Sequence, residues 1–364
     1  MRKILVIQTA SLGDVIIATA LLEKLHAHYP EAEVEMLVQK PAASLLKGHP
    51  FLHHILTWDK KNRKYAHLLQ LSRAIRKERY DLIVNVQRFA ATGWLCWRSK
   101  ARQIAGFDKN PFSCCYTHKI PHQISSTDYL YEADRNQRLI TAFTDAESAP
   151  TRLYPTSEDE ATVGACLQET FPQSAERPAY CCISPASLWF TKQYPTEKWV
   201  ELIQKIPEKY QIILLGSDKD RPLCEEIIRQ CGNRKCHNLA GKLSLLQSAA
   251  LMRDAVMNYT NDSAPLHLAV AVGAKVTALF CSTVPSFGFA PKGENIHIIE
   301  TEEPLPCRPC GIHGHQQCPE GHFRCGYSIE TAKLLEFLPE ESEPLSKEPT
   351  GTTSINDHTN PTND

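Results

Sequence analysis

The sequence predicts an α/β protein of two domains, each built on a parallel sheet and facing the other across a cleft, and three observations carry that prediction. The chain has 364 residues, more than one hydrophobic core usually organises. Short β-branched runs alternate with helical stretches through the first half, which is the rhythm of βαβ units. The same alternation starts again after Pro150.

Taken in order, Ile4 to Gln8, Val34 to Val38, His54 to Trp58 and Asp81 to Val86 read as strands, with helices over 14–28, 41–47 and 63–78 between them. A helix over 157–171 opens the second half. Tyr180 to Ser184, Gln211 to Leu215, Val256 to Tyr259 and Lys275 to Phe280 follow as strands, separated by helices over 196–206, 218–231 and 263–272. A joint within 147–176 divides the chain into domains 1–155 and 156–338. Residues 339–364, polar and rich in Pro, Ser and Thr from Glu340 onward, have almost nothing to bury and read as a disordered tail. Open α/β sheets bind ligands beyond the carboxyl ends of their strands, so candidate sites are sought in those loops.

Composition narrows the partners. Forty Lys and Arg balance 41 Asp and Glu, which argues against a general nucleic-acid binder. Nothing approaches the 18 or so uncharged apolar residues that a spanning helix needs, and the apolar run after Arg2-Lys3 is too short for a secretory signal. A cytoplasmic protein is expected. The cysteines number 14; pairs such as Cys181-Cys182 lie in apolar runs where free thiols pack as small hydrophobes, unlike a secreted disulfide scaffold.

The turn after the first strand reads Gln8-Thr9-Ala10-Ser11-Leu12-Gly13-Asp14. It puts Asp14 at the start of a helix and at the mouth of the cleft, where a carboxylate serves either as a general base or as a first-turn charge complementing the helix dipole. Neither Gly-x-Gly-x-x-Gly nor a P-loop occurs, so phosphate must be held otherwise. The best candidate is Asn261-Asp262-Ser263-Ala264-Pro265-Leu266-His267, a strand-to-helix turn with Pro in the first helical turn. Free amides there form an anion site, although Asp262 or Ser263 also suits a plain N-cap. Ser184-Pro185-Ala186-Ser187 through Lys192-Gln193-Tyr194-Pro195 offers hydroxyls and one cation in a loop, able to neutralise a departing phosphate. Leu214-Leu215-Gly216-Ser217-Asp218 ends a strand with an acid that either accepts from ribose hydroxyls or caps the next helix.

Those four segments, in their chain order of 11–14, 184–195, 214–218 and 261–267 and at that spacing, resemble glycosyltransferase family 9, the lipopolysaccharide heptosyltransferases, over roughly residues 1–330. The resemblance implies a GT-B fold of two Rossmann-like domains and an inverting transfer. It implies an ADP-heptose-like nucleotide sugar bound by the C-terminal domain and a lipopolysaccharide-core or other lipid-linked acceptor bound by the N-terminal domain. By motif, Asp14 would take the proton from the acceptor hydroxyl, Lys192 would offset charge on the leaving diphosphate, and Asp218 would hold the ribose. Ser187, Asp262, Ser263, Ala264 and His267 would line the phosphates and the donor sugar. No cofactor or catalytic metal is expected, because Lys192 and a helix N-terminus supply the positive field. Ser187-Leu188 stands where consecutive hydroxyl residues are frequent in the family, and Ser263-Ala264 where Thr-Gly is frequent, so the donor class is better specified than its sugar. Two alternatives stay open: the same fold using another nucleotide sugar, or a non-catalytic nucleotide-sugar-binding protein.

Two features lie outside this set. Cys307, Cys310, Cys318 and Cys325, with His313, His315 and His322 among them, have the count for a structural zinc but irregular later spacing; free thiols in a structural loop are the favoured reading. Residues 47–109 carry fourteen Lys or Arg, among them Lys60, Lys61, Arg63 and Lys64, against four acids. That is either a solvated face or a surface drawn peripherally to an acidic glycolipid at the inner membrane.

Overall fold

In the computed structural model, residues 1–124, 129–173 and 178–339 are described. The expected tail from Glu340 onward therefore lies outside the described residues. Strands β1 (Lys3–Ile7), β2 (Glu33–Gln39), β3 (Leu52–Trp58), β4 (Leu82–Asn85), β5 (Gln103–Phe107) and β6 (His118–Ile120) form one parallel sheet in the order β3-β2-β1-β4-β5-β6. A second parallel sheet, β12-β11-β10-β7-β8-β9, is built from β7 (Tyr180–Ser184), β8 (Gln211–Leu214), β9 (Cys236–Asn238), β10 (Met257–Asn261), β11 (Val276–Phe280) and β12 (Ile296–Glu300). The α/β class and the pair of facing sheets are as the sequence predicts.

The central strands are buried on both faces, as in a parallel sheet covered on each side by helices. Ile4, Leu5, Val6 and Ile7 of β1 are fully buried, each worth roughly 1.5–3 kcal/mol over leaving it in water. Helix α1 (Leu12–His28) is apolar nearly all round and buried continuously from Val15 to Leu22, the mark of a helix enclosed by its surroundings. Helices α2 (Lys64–Glu78), α3 (Ala90–Ser99), α4 (Glu132–Gln137), α5 (Ser157–Thr170), α6 (Thr196–Lys205), α7 (Arg221–Gln230), α8 (Leu245–Arg253) and α9 (Ala264–Ala271) complete the layers. One core cluster runs from α1 through α8 and α9, so the two sheets share buried surface.

Several elements differ from the sequence reading for physical reasons. The expected helix over 218–231 is divided: Asp220 closes a capping box on Ser217, Asp218–Asp220 forms a short 3-10 turn, and α7 begins afterwards with Pro in its first turn. The segment 41–47 is likewise a 3-10 turn, Lys40–Leu46, started by Pro41. Strands β5, β6, β9 and β12 escape the sequence reading; for β6 and β9, His-Lys-Ile and Cys-His-Asn, the reason is that edge strands are short and polar. The helix expected over 157–171 is present as α5, and it packs on α8.

In each sheet the chain reverses its direction of strand addition at one place, between β1 and β4 in the first and between β7 and β10 in the second. These switch points leave a crevice at the carboxyl ends of the strands. The turn before Asp14 follows β1, the Lys192 loop follows β7, and Asp262 follows β10.

Candidate active site

Ser11 and Asp14 form a capping box. One carboxylate oxygen of Asp14, Oδ2, accepts from the Ser11 backbone N–H at 3.0 Å and from its hydroxyl at 2.6 Å, and the Asp14 N–H donates back to Ser11 Oγ at 3.4 Å. The helix-start reading of Asp14 is thus realised, yet it occupies only Oδ2. The carboxylate is aimed by its cap while half exposed at the cleft.

Lys192 ends a short 3-10 turn, Phe190–Lys192. Its ammonium lies 2.6 Å from Asp262 Oδ2, and the same oxygen accepts the Thr283 hydroxyl at 2.7 Å. Asp262 therefore does not cap α9. Ser263 is the N-cap, with extended backbone and no side-chain cap bond; Pro265 has no N–H and the Leu266 N–H donates to the Ser263 carbonyl at 3.1 Å, so the Ala264 N–H is the helix-start amide left open. Asn261, at the end of β10, holds the neighbouring loop from both sides: its Oδ1 accepts the Tyr194 N–H at 2.9 Å and its Nδ2 donates to Pro185 O at 2.8 Å. That staple fixes the two ends of the stretch carrying Lys192.

His267 projects from the first turn of α9 and is buried, with no hydrogen-bond partner on Nδ1. Burial holds its imidazolium pKa down to about 4, while the Asp262 and Asp14 carboxylates push upward and Lys192 downward. The ring is neutral at physiological pH, and it feels charges from both domains at once. It also touches the first domain: an ideal Cβ on Gly13 would lie 2.9 Å from His267 Cδ2, so only glycine fits where α1 meets α9.

Asp14, Lys192, Asp262 and His267 are thus brought to one place, with Ser263 and Ala264 at the helix start beside them. Two other sequence candidates are not drawn into this contact. Asp218 is 81% exposed at its side chain and pairs with Arg221 at 2.9 Å, and Ser187 uses its carbonyl to accept from Gln193 Nε2 at 2.7 Å. Asp218-Lys219-Asp220 is an Asp-x-Asp triplet in which Asp220 Oδ2 accepts the Ser217 N–H and hydroxyl, both at 2.7 Å, and Asp218 Oδ1 accepts from Arg221 at 2.9 Å.

Sequence reasoning missed Thr283 and the floor of the first crevice. A recess of about 240 Å³ opens between Thr9, Trp58, Lys60, Lys64, Gln87 and Phe89. Lys60 donates to the Thr9 carbonyl and lies 4.9 Å from the Trp58 ring centre; burial first, and then Lys64, lower its pKa. The available signal was the basic run after Trp58, whose place beside the Asp14 turn only the sheet order reveals.

All four cysteines of the 307–325 segment are free thiols. Cys307 Sγ is 4.0 Å from His322 Nε2, and Cys310 S–H donates to Cys307 O at 3.3 Å. Among the described residues, three or more ligand atoms gather within 4.8 Å only at Glu33, Glu35 and His53. There the Lys3 ammonium already sits 3.3 Å from Glu33 and 3.7 Å from Glu35. The zinc alternative for the cysteines thus gains no support from geometry.

The sequence profile of glycosyltransferase family 9 (heptosyltransferase) matches residues 68–320. Lipopolysaccharide heptosyltransferase 3 of Escherichia coli is 27% identical over 298 residues, spanning 78% of this chain and 83% of its own. The structure of E. coli ADP-heptose lps heptosyltransferase II superposes with a TM-score of 0.72 at 22% identity, covering 92% of this chain and 97% of that one. E. coli heptosyltransferase WaaC with ADP-2-deoxy-2-fluoro heptose superposes at 0.63 and 19% identity, covering 82% and 93%. The match spans more than half of the chain: it belongs to glycosyltransferase family 9 and is a glycosyltransferase.

Proposed function

We propose that the chain is an inverting heptosyltransferase that moves a heptose from an ADP-activated donor onto the core of a lipopolysaccharide-type acceptor. In this reading residues 1–155 bind the acceptor and residues 156–338 the donor. The observation that carries it is the meeting of Asp14 with His267, Asp262 and Lys192 where α1 touches α9.

The chemistry follows from that arrangement. Asp14 takes the proton from the acceptor hydroxyl as its oxygen bonds to the anomeric carbon. The bond from that carbon to the diphosphate oxygen breaks on the opposite face, which inverts the centre. Negative charge on the departing diphosphate meets the Lys192 ammonium and the Ala264 amide at the positive end of α9, donors that a closed, water-poor site makes effective. Asp262 holds Lys192 ready and shares it once the diphosphate arrives. Neutral His267 is available as a donor to a phosphate oxygen or a sugar hydroxyl. The basic recess beside the Asp14 turn suits an acidic acceptor, and the wider basic face suits peripheral contact with an anionic membrane.

The ADP-2-deoxy-2-fluoro heptose held by the WaaC structure supports ADP-heptose as the first substrate to test. Purified protein is incubated with ADP-heptose and a lipid A-core fragment, and the product is followed by mass spectrometry and anomeric NMR. A heptosylated product of inverted configuration is expected. Transfer only from a UDP- or GDP-sugar would replace the donor assignment, and donor binding without transfer to any acceptor would favour the non-catalytic alternative.

A further inference from the structure

The cysteine-rich segment has no part in the chemistry above, yet it is bolted to the loop that carries Lys192. Gly314 stands in the left-handed region at φ +76°, and an ideal Cβ there would lie 2.8 Å from Thr191 Oγ1, 3.0 Å from Ser282 Oγ and 3.2 Å from Lys192 Cγ. The Thr191 N–H donates to the His315 carbonyl at 3.1 Å, and the His315 N–H donates to the Thr191 hydroxyl oxygen at 2.8 Å. Ser282 Oγ donates to that same oxygen at 3.0 Å. Ser282 is itself held through its carbonyl by the Cys310 N–H at 2.9 Å.

Thr191 is the residue next to Lys192 and is 1% exposed. Its hydroxyl is the point where the β7 loop, the residue after Cys281 and the cysteine-rich segment converge. A buried hydroxyl with several partners is costly to disturb, so it fixes the backbone from which Lys192 extends. Lysine has a long, flexible stem and acts as a point charge. Its usefulness against a leaving group depends on the place of that backbone, and a displacement of 1 Å at a reacting site costs about 10²-fold in rate.

We propose that Thr191 is a positioning residue for Lys192, and that residues 310–316 are the bolt that holds it. The proposal rests on the reading of Lys192 as the leaving-group cation. It gives the cysteine segment a mechanical role that needs no metal ligation.

The test is a double-mutant cycle on the full chain, read as kcat and donor KM in the transfer assay. Thr191→Val is expected to lower kcat by roughly 10- to 100-fold with donor KM within about threefold, and Thr191→Ser to restore most of it. In a Lys192→Ala background, Thr191→Val is expected to change kcat by less than about twofold, because a residue acting through Lys192 has nothing left to position. Gly314→Ala, which drives a methyl into the same hydroxyls, serves as the second variant should Thr191→Val not fold, and it is expected to behave alike. The proposal is overturned if Thr191→Val keeps the wild-type kcat while Lys192→Ala is slow, or if it slows Lys192→Ala by the same factor as the wild type. Wild-type kcat in Lys192→Ala itself overturns the leaving-group reading, and this proposal with it.

Discussion

His267 lies edge-on against Gly13: a methyl group added at Gly13 would sit 2.9 Å from the imidazole Cδ2, closer than carbon atoms approach without displacement. The contact joins α1 of the first sheet to α9 of the second, one residue before Asp14. The close approach of the two helices is therefore written into a single glycine.

Gly13→Ala is accordingly expected to separate α1 from α9 by a few tenths of an ångström or more, because the buried ring has little room to swing. Transfer should fall by about one to two orders of magnitude, with the protein still folded. In a His267→Ala background the added methyl has space, so Gly13→Ala should cost little further. Steady-state kinetics on the four proteins check this, and equal losses from Gly13→Ala in both backgrounds would show that the contact is not the cause.

Asp14 has two jobs that mutation can separate. Ser11→Ala removes the hydroxyl of the capping box and should cost about 1 kcal/mol of stability while leaving most of the transfer activity. Asp14→Ala removes the carboxylate as well and should lower kcat by 10²- to 10⁴-fold, the usual range for losing a general base, with donor affinity within a few-fold. Calorimetric titration with ADP and denaturant melts alongside the kinetics distinguish the two. An Asp14→Ala protein that transfers at the wild-type rate would leave Asp14 with its capping role alone.

The two-sheet architecture was legible because β1, β7 and β11 are largely apolar runs bounded by turn residues, the pattern of strands buried on both faces. The site motifs were legible as strand ends followed by small polar residues. What could not be read was which loops meet. Thr283, Thr191 and Gly314 are ordinary residues in sequence, and their roles come from packing partners up to 124 positions away. Asp14 shows the limit in the other direction. Cap and base were posed as alternatives, while the structure satisfies the cap with one oxygen and leaves the other reading standing.

Three buried histidines, His49, His122 and His267, are each held down to about 4, by burial first in every case. The unfolded chain titrates near 6.5, so between about pH 6.5 and pH 4 the unfolded state binds more protons than the folded one. Stability is therefore full above this window and falls as the pH drops through it, each unit of depression weighing about 1.4 kcal/mol. Urea melts at pH 7, 5.5 and 4.5 should show a declining midpoint. Replacement of His49 by Phe should flatten part of the decline, and a wild-type midpoint unchanged from pH 7 to 4.5 would contradict the neutral-histidine account.

Lys60 and Lys64 share one recess beside the Asp14 turn, and burial together with Lys64 already disfavours the charge on Lys60. An anion placed between them relieves both costs, so an acidic acceptor gains more from this pair than from two solvated lysines. Lys60→Glu and Lys64→Glu should raise the KM for a phosphorylated lipid A-core acceptor by about tenfold or more, roughly the worth of a lost charge-assisted contact. Donor KM should stay constant, because these residues belong to the other sheet. The same variants should respond less to added salt, since the screened attraction has been removed. Acceptor and donor titrations at two ionic strengths decide the matter: a rise in donor KM instead would place the nucleotide, and not the acceptor, over the basic recess.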